Sequence, residues 1–158
     1  MSLESLIDDL KNGIGMVRVN AAAELGKLKD KGAEQALIDA LGDKNMAVRN
    51  NAAFALGQLG SHAAVPGLLA LLRDPEERVR KSAVKALGII GAHEAVAALI
   101  HVLDSDASHV VKKSAIRSLG QIGGPKALHA VEPYTSSPDA VLADTANKAI
   151  GKNKSCPR

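Results

Sequence analysis

The apolar and polar positions of the chain recur with a period of about 31 residues. Four stretches superimpose without a gap: Val17 to Gly26, Val48 to Gly57, Val79 to Gly88 and Val111 to Gly120, with a weaker fifth copy from Leu142 to Gly151. Between them lies a second recurring stretch, Leu6 to Leu10, Leu37 to Leu41, Leu68 to Leu72 and Leu99 to Leu103. Neither stretch alternates with period two, so strands are disfavoured and both read as helices. Breakers fall between them, at Gly60 with Ser61, Gly91 with Ala92, Gly123 to Pro125, and Asp74 with Pro75. Pro66 fits the first turn of a helix, where its missing amide costs nothing. The pattern predicts two helices per repeat and about five repeats, an all-α solenoid in one domain. A two-helix unit cannot bury its apolar stripe alone, so each repeat must stack on its neighbours and the terminal units must face water. Residues 1–13, with Glu4, Asp8 and Asp9, read as an N-terminal capping helix, and 140–151 as a C-terminal one. In the last copy Asn147 replaces the apolar residue held elsewhere by Ala22, Ala53, Val84 and Ile116. Residues 152–158 read as a flexible tail.

The consensus Val-Arg-x-x-Ala-Ala-x-Ala-Leu-Gly-x-Leu/Ile-Gly, with an Asp six residues before the Arg, resembles the HEAT-like repeat of the phycobilisome (bilin) lyase type. It is similar also to the designed alphaRep scaffolds. The resemblance spans residues 3 to 151 and implies a right-handed superhelix whose concave face is lined by the second helix of each repeat. For function it implies several classes, because such repeats occur in adaptors, bilin lyase subunits, hydroxylases and DNA glycosylase relatives.

Advancing 100° per residue from the Val that opens each copy places the apolar offsets 0, 4, 5, 8 and 11 within an arc of about 140°. Offsets 2, 3, 6 and 10 fall between about 200° and 300° and form the expected solvent stripe. That stripe reads Val19, Asn20, Ala23, Lys27; Asn50, Asn51, Phe54, Gln58; Lys81, Ser82, Lys85, Ile89; Lys113, Ser114, Arg117, Gln121; and Asp144, Thr145, Lys148, Lys152. It is neutral and amide-rich in its first half and basic in its second. The other helix carries Asp8, Asp9, Glu34, Asp39 and Glu132, so the two faces differ in sign.

A concavity with scattered Lys, Asn and Gln and one aromatic anchor, Phe54, with Ile89 in register, suits an acidic protein segment or a groove-filling helix. The expected partner-binding residues are Asn50, Asn51, Phe54, Gln58, Lys81, Lys85, Ile89, Lys113, Arg117 and Gln121. Nucleic acid ranks second, since Lys81, Lys85, Lys113, Arg117, Lys148 and Lys152 would track phosphates. Against it, Lys outnumbers Arg on the stripe and stacking aromatics are missing.

Composition sharpens this picture. Of the 158 residues 27 are Ala, and Phe54 and Tyr134 are the sole aromatics, so cages and base sandwiches that need stacked rings are disfavoured. Ala at offsets 4, 5 and 7 lets neighbouring repeats approach closely. Apolar residues make up 46% and charged residues 23%, which suits a folded globular protein. The net charge of +3 argues for solubility more than for a polyanionic partner. One Cys, Cys156, precludes an intrachain disulfide and suits a reducing compartment. Acids at 4, 8 and 9 are unlike a secretory leader, and the uncharged run from Asn50 to Leu72 is interrupted by amides, Ser61, His62 and Pro66. A cytoplasmic, non-membrane protein is expected.

Several motifs look chemical. Arg18, Arg49, Arg80 and Lys112 recur at offset 1, with Asn12, Asp43, Asp74 and Asp106 six residues ahead. These read as a structural ladder that ties inter-helix turns together, in preference to a row of anion-binding groups. His62 and His93 share a turn position one repeat apart, too far for shared ligation, and His101, His109 and His129 show no two-ligand spacing. His93 and Glu94 resemble one His-Glu pair of the HEAT-type deoxyhypusine hydroxylases, which carry several. No metal, cofactor or catalytic site is expected; phosphate-loop, nucleophile-elbow and zincin motifs are absent. The glycines Gly26, Gly57, Gly88 and Gly120 read as points of close helix approach, and Cys156 as incidental. The expected function is a non-enzymatic scaffold or adaptor, the alternatives being a bilin lyase subunit or chromophore-handling chaperone, and a nucleic-acid binder.

Overall fold

The computed structural model describes residues 1–154, with side chains through Gly151; Cys156 and the side chain of Lys152 lie outside the described residues. Five helix pairs follow one another: α1 (Leu3–Asn12) with α2 (Gly15–Leu28), α3 (Glu34–Ala40) with α4 (Met46–Leu59), α5 (Val65–Leu71) with α6 (Glu77–Ile90), α7 (Val96–Ser105) with α8 (His109–Ile122), and α9 (Pro125–Val131) with α10 (Ala140–Lys154). No strand occurs among the described residues. The all-α solenoid of two-helix repeats is therefore what the sequence folds into. Helix α1 pairs with α2 as the first half of a full repeat, and α10 runs three residues past position 151.

Local chemistry sets the helix ends. The side chains of Asn45 and Ser108 accept backbone amides at the starts of α4 and α8. Gly60 and Gly91 end α4 and α6 in the left-handed region, with φ of 66° and 73°. Lys29 takes the same turn at φ 51°, where a Cβ is mildly strained. Pro66 sits in the first turn of α5, as its missing amide requires.

The second helices α2, α4, α6, α8 and α10 pack side by side along their lengths, whereas the first helices touch one another far less. The two-layer array therefore curves with the second helices on its inner face. The core lies between the layers: Leu25, Leu56, Leu87 and Leu119 from the inner helices and Leu37, Leu68 and Leu99 from the outer ones are fully buried. Each such burial is worth about 1.5–3 kcal/mol before chain entropy is set against it. Inner helices approach through small residues. A Cβ on Gly26 would stand 3.1 Å from the Ala55 Cβ, and one on Gly120 would stand 2.7 Å from the Ala149 Cβ. Position 7 of one repeat thus fills the notch left by position 9 of the repeat before it. At the third joint Ser118 takes the place of Ala, and its hydroxyl donates to the Val84 carbonyl at 2.8 Å.

That lateral packing corrects part of the expected stripe. Ser114 and Thr145 are 5% and 6% exposed, because offset 3 lies under the neighbouring inner helix and not in solvent. Their hydroxyls donate to the Val110 and Val141 carbonyls of their own helices.

The Arg–Asp ladder runs between repeats. Arg18, Arg49 and Arg80 each present Nε and Nη2 to both carboxylate oxygens of Asp43, Asp74 and Asp106 in the next repeat, at 2.8 to 3.4 Å. Their Nη1 atoms donate to carbonyls in their own inter-helix turn, at Gly13, Asp43 and Asp74. Asn12 stands where no Arg precedes it and donates to Asp8 instead. At the last joint both halves of the rung are replaced, by Lys112 and Ser137, and Lys112 makes no ion pair among the described residues.

Burial alone would raise the pKa of Asp43, but the hydrogen bond from Arg18, the Asn45 amide and the nearby positive charges bring it below its ordinary 3.8. A depressed folded pKa contributes stability that is present above the unfolded value and is lost as pH falls through the folded one. The stability difference between wild type and Asp43→Asn, measured by urea unfolding, is therefore expected to be full at about pH 5 and to shrink below about pH 4. A difference that stayed constant down to about pH 2 would show that the Asp43 charge contributes nothing.

Candidate functional site on the inner face

Along each inner helix, offsets 2, 6 and 10 remain open to the groove, so equivalent residues of successive repeats form rows. One row is Ala23, Phe54, Lys85, Arg117 and Lys148; the next is Lys27, Gln58, Ile89 and Gln121. Phe54 is 56% exposed, and Ile89, Lys85, Arg117 and Gln121 are exposed as well, while Lys81 and Lys113 are half-buried.

Two adjoining recesses result. Phe54, Ile89 and Gln121 enclose a small one of about 160 Å³ together with Lys85. Lys85 also borders a larger cleft of about 350 Å³, where it meets Lys81, Lys113 and Arg117 at one wall and Val110 and Val141 at the other. The structure thus brings Phe54, Lys81, Lys85, Ile89, Lys113, Arg117 and Gln121 into one continuous surface. Asn50 and Asn51 are not free parts of it. Asn51 Nδ2 donates to the Val19 carbonyl, and Asn50 Oδ1 accepts from the Ser82 hydroxyl at 2.6 Å, so both amides join inner helices together. Gln58 is half-buried at the groove's edge and borders neither recess.

The charge is more concentrated than the stripe suggested. Lys148 pairs with Asp144 at 2.9 Å and Lys27 with Glu24 at 2.6 Å, which leaves, among the described side chains of the stripe, a block of four cations on α6 and α8. None of Lys81, Lys85, Lys113 and Arg117 has an ion-pair partner among the described residues. Burial and the charges of Lys81, Arg117 and Lys113 push the Lys85 pKa below the usual lysine value. Among the described residues Asp139 is the one acid lining the larger cleft, and its carboxylate accepts from the Leu142 and Val141 amides and meets His109 Nδ1 at 3.0 Å. Those contacts hold its pKa below the ordinary value.

His109, Val110, Asp139 and Val141 were missed in the sequence because they lie before the opening residues of their copies, Val111 and Leu142. The signal was present: offset −1 falls at about 260°, in the middle of the solvent arc. The large exposed apolar side chains form two groups, Met1, Ile14, Met16, Val17 and Leu28 at the N-terminal end and Phe54, Ile89, Val110 and Val141 on the groove side. Among the described residues no group of three or more His, Cys, Asp or Glu converges to hold a metal ion, and His62 and His93 sit exposed on separate turns. No helix of the described residues is long and apolar enough to cross a membrane.

Fold and groove define an α-helical repeat protein, built of helix pairs with a continuous inner layer. The chain belongs to the HEAT-repeat family, whose profile matches residues 3–87 and 65–151. Among solved structures it is similar to the complex of CpcE and CpcF of phycocyanin lyase from Nostoc sp. PCC7120, with 30% identity and a TM-score of 0.85. That match covers 95% of this chain and 64% of the other, so this chain spans under two thirds of that neighbour's length. A designed armadillo repeat protein in complex with the peptide (KR)4 matches with 23% identity and a TM-score of 0.77, covering 94% of this chain and 80% of that one. Human deoxyhypusine hydroxylase matches with 19% identity and a TM-score of 0.61, covering 96% and 73%. The last two likenesses show the fold alone. No curated protein sequence matches the chain.

Proposed function

We propose that this protein is a non-enzymatic scaffold or adaptor that holds an acidic segment of a protein partner in its inner groove. The observation that carries the reading is the coincidence, on one face, of four unpaired cations with Phe54, Ile89, Val110 and Val141. An exposed apolar cluster beside uncompensated charge is the composition of a recognition surface, since either feature alone costs solubility or self-repulsion. The designed armadillo protein of like fold is in complex with a basic peptide, whereas the cations here select an acidic one.

Recovery of partners from the source lysate by wild type and by Lys85→Glu/Arg117→Glu tests this. Reversal replaces attraction by repulsion at the centre of the face, and about a tenfold or greater loss of the wild-type partners is expected. Unchanged recovery would sink the inner-face reading. Retention of DNA or RNA that falls steeply with salt would point to nucleic acid instead.

A second reading, a subunit of a lyase complex or a chromophore-handling chaperone, is favoured by the likeness to CpcE and CpcF of phycocyanin lyase. A coloured adduct or a shifted absorption band on mixing with free bilin would support it. Absence of any spectral change would count against it.

A further inference from the structure

The block of four cations has a shape as well as a sign. Lys81 and Lys85 stand one turn apart on α6, and Lys113 and Arg117 occupy the same two offsets on α8. One turn is about 5.4 Å and adjacent helices pack about 8–10 Å apart, so four long side chains surround a single point in the cleft. Lys85 feels the charge of each of the other three, which places all four heads in one electrostatic neighbourhood. Among the described side chains the block does not continue as a track: the same face of α4 offers Asn50 and Phe54, and Lys148 on α10 is paired. A nucleic-acid backbone needs a row of cations, and a compact block fits one multiply charged group.

We propose that the cleft between α6, α8 and the start of α10 is a phosphoryl subsite, which takes one phosphoserine or phosphothreonine of the bound segment while the Phe54 and Ile89 recess beside it takes an apolar side chain of the same segment. The proposal rests on the peptide-binding reading above. A carboxylate brings one charge, and its two oxygens leave most of the block uncompensated. A phosphate monoester brings about −1.5 to −2 charges and three strong acceptor oxygens, so it offsets up to half of the block's four charges and engages more of its donors than a carboxylate does. Asp139 keeps its charge at the edge of the cleft, but it forms no ion pair with any of the four cations, so their heads remain open to a ligand. Val110 and Val141 give the cleft an apolar wall against the carbons of the phosphorylated residue.

The test compares three degenerate peptide libraries with a fixed central residue, phosphoserine, serine or glutamate, panned on the whole protein. Enrichment of the phosphoserine library by about tenfold or more over both others is expected. In Lys85→Met/Arg117→Met, whose substituted positions are exposed, that preference should vanish while the melting temperature stays at the wild-type value. Equal binding of the glutamate library would overturn the phosphoryl subsite and leave the acidic-segment reading intact. Failure of all three libraries, together with unchanged lysate recovery by the charge-reversed protein, would overturn both. Inorganic phosphate that displaces the selected phosphopeptide at the peptide's own concentration would overturn the docking assignment in favour of a free small anion.

Discussion

Arg49→Ala is expected to lower the melting temperature by about 6–12 °C while changing the affinity for an inner-face ligand by less than about twofold. Arg49 satisfies both oxygens of Asp74 through Nε and Nη2, and its Nη1 donates to the carbonyls of Asp43 and Lys44. The Asp74 side chain is 5% exposed, so truncation leaves a carboxylate in a place where water cannot replace the lost donors. Breaking a buried pair on one side costs about 3 kcal/mol or more, and in a chain of this size each kcal/mol moves the midpoint by about 2–4 °C. The rung lies in the inter-helix turns, away from Phe54 and the cation block, so its loss should act on stability. Removing Asp74 as well should recover part of the loss, because the unpaired charge goes with it. A large loss of ligand affinity at an unchanged melting temperature would reverse the assignment and make the ladder a binding feature.

Gly57→Val is expected to cost about 3 kcal/mol, seen as a fall in the urea midpoint. A Cβ at this position would stand 2.9 Å from the Ala86 Cα and 3.0 Å from its Cβ. The obstacle is the backbone of α6, which has no rotamer with which to retreat. The three carbons of an isopropyl group added at that point push α4 and α6 apart and open the buried contacts on either side of the joint. Gly15→Ala is the control: nothing lies within 4 Å of its Cβ, and at the start of α2 it is expected to be neutral or to stabilise by about 0.5–1 kcal/mol. The milder Gly57→Ala combined with Ala86→Gly removes the 3.0 Å contact to the Ala86 Cβ but leaves the 2.9 Å contact to its Cα, so it should recover only part of the loss of Gly57→Ala alone. If Gly57→Val costs no more than Gly15→Ala, close approach is not why glycine stands there.

The repeat and its layers were legible because four of the five copies carry the same Val, Leu and Gly at the same offsets, so the chain supplies its own alignment. The depth of Ser114 and Thr145 was not legible. A wheel drawn for one helix knows nothing of the helix beside it, and offset 3 changes from solvent to joint only when repeats stack. The same blindness hid the role of Asn50 and Asn51, whose amides read as ligand groups and prove to be struts between α2, α4 and α6. At the site, Phe54, Lys85, Ile89 and Arg117 were readable from periodicity, whereas the pairing of Lys148 with Asp144 depends on how two flexible side chains settle on one helix. The reach of Val110 and Val141 into the cleft follows from where α8 and α10 begin, which boundary signals place within a turn at best.

Three of the four joints between repeats carry a guanidinium rung, and the fourth carries Lys112 opposite Ser137. In an array whose units hold only their neighbours, the weakest joint decides where opening begins. Amide hydrogens of α9 and α10 should therefore exchange ahead of those of α4 and α6. The cation cleft spans that same joint, with Lys81 and Lys85 on one side and Val141 and Leu142 on the other. A ligand seated there clasps the fifth repeat to the rest of the array, so occupancy of the groove would be read at a distance as slowed exchange throughout the C-terminal helix pair.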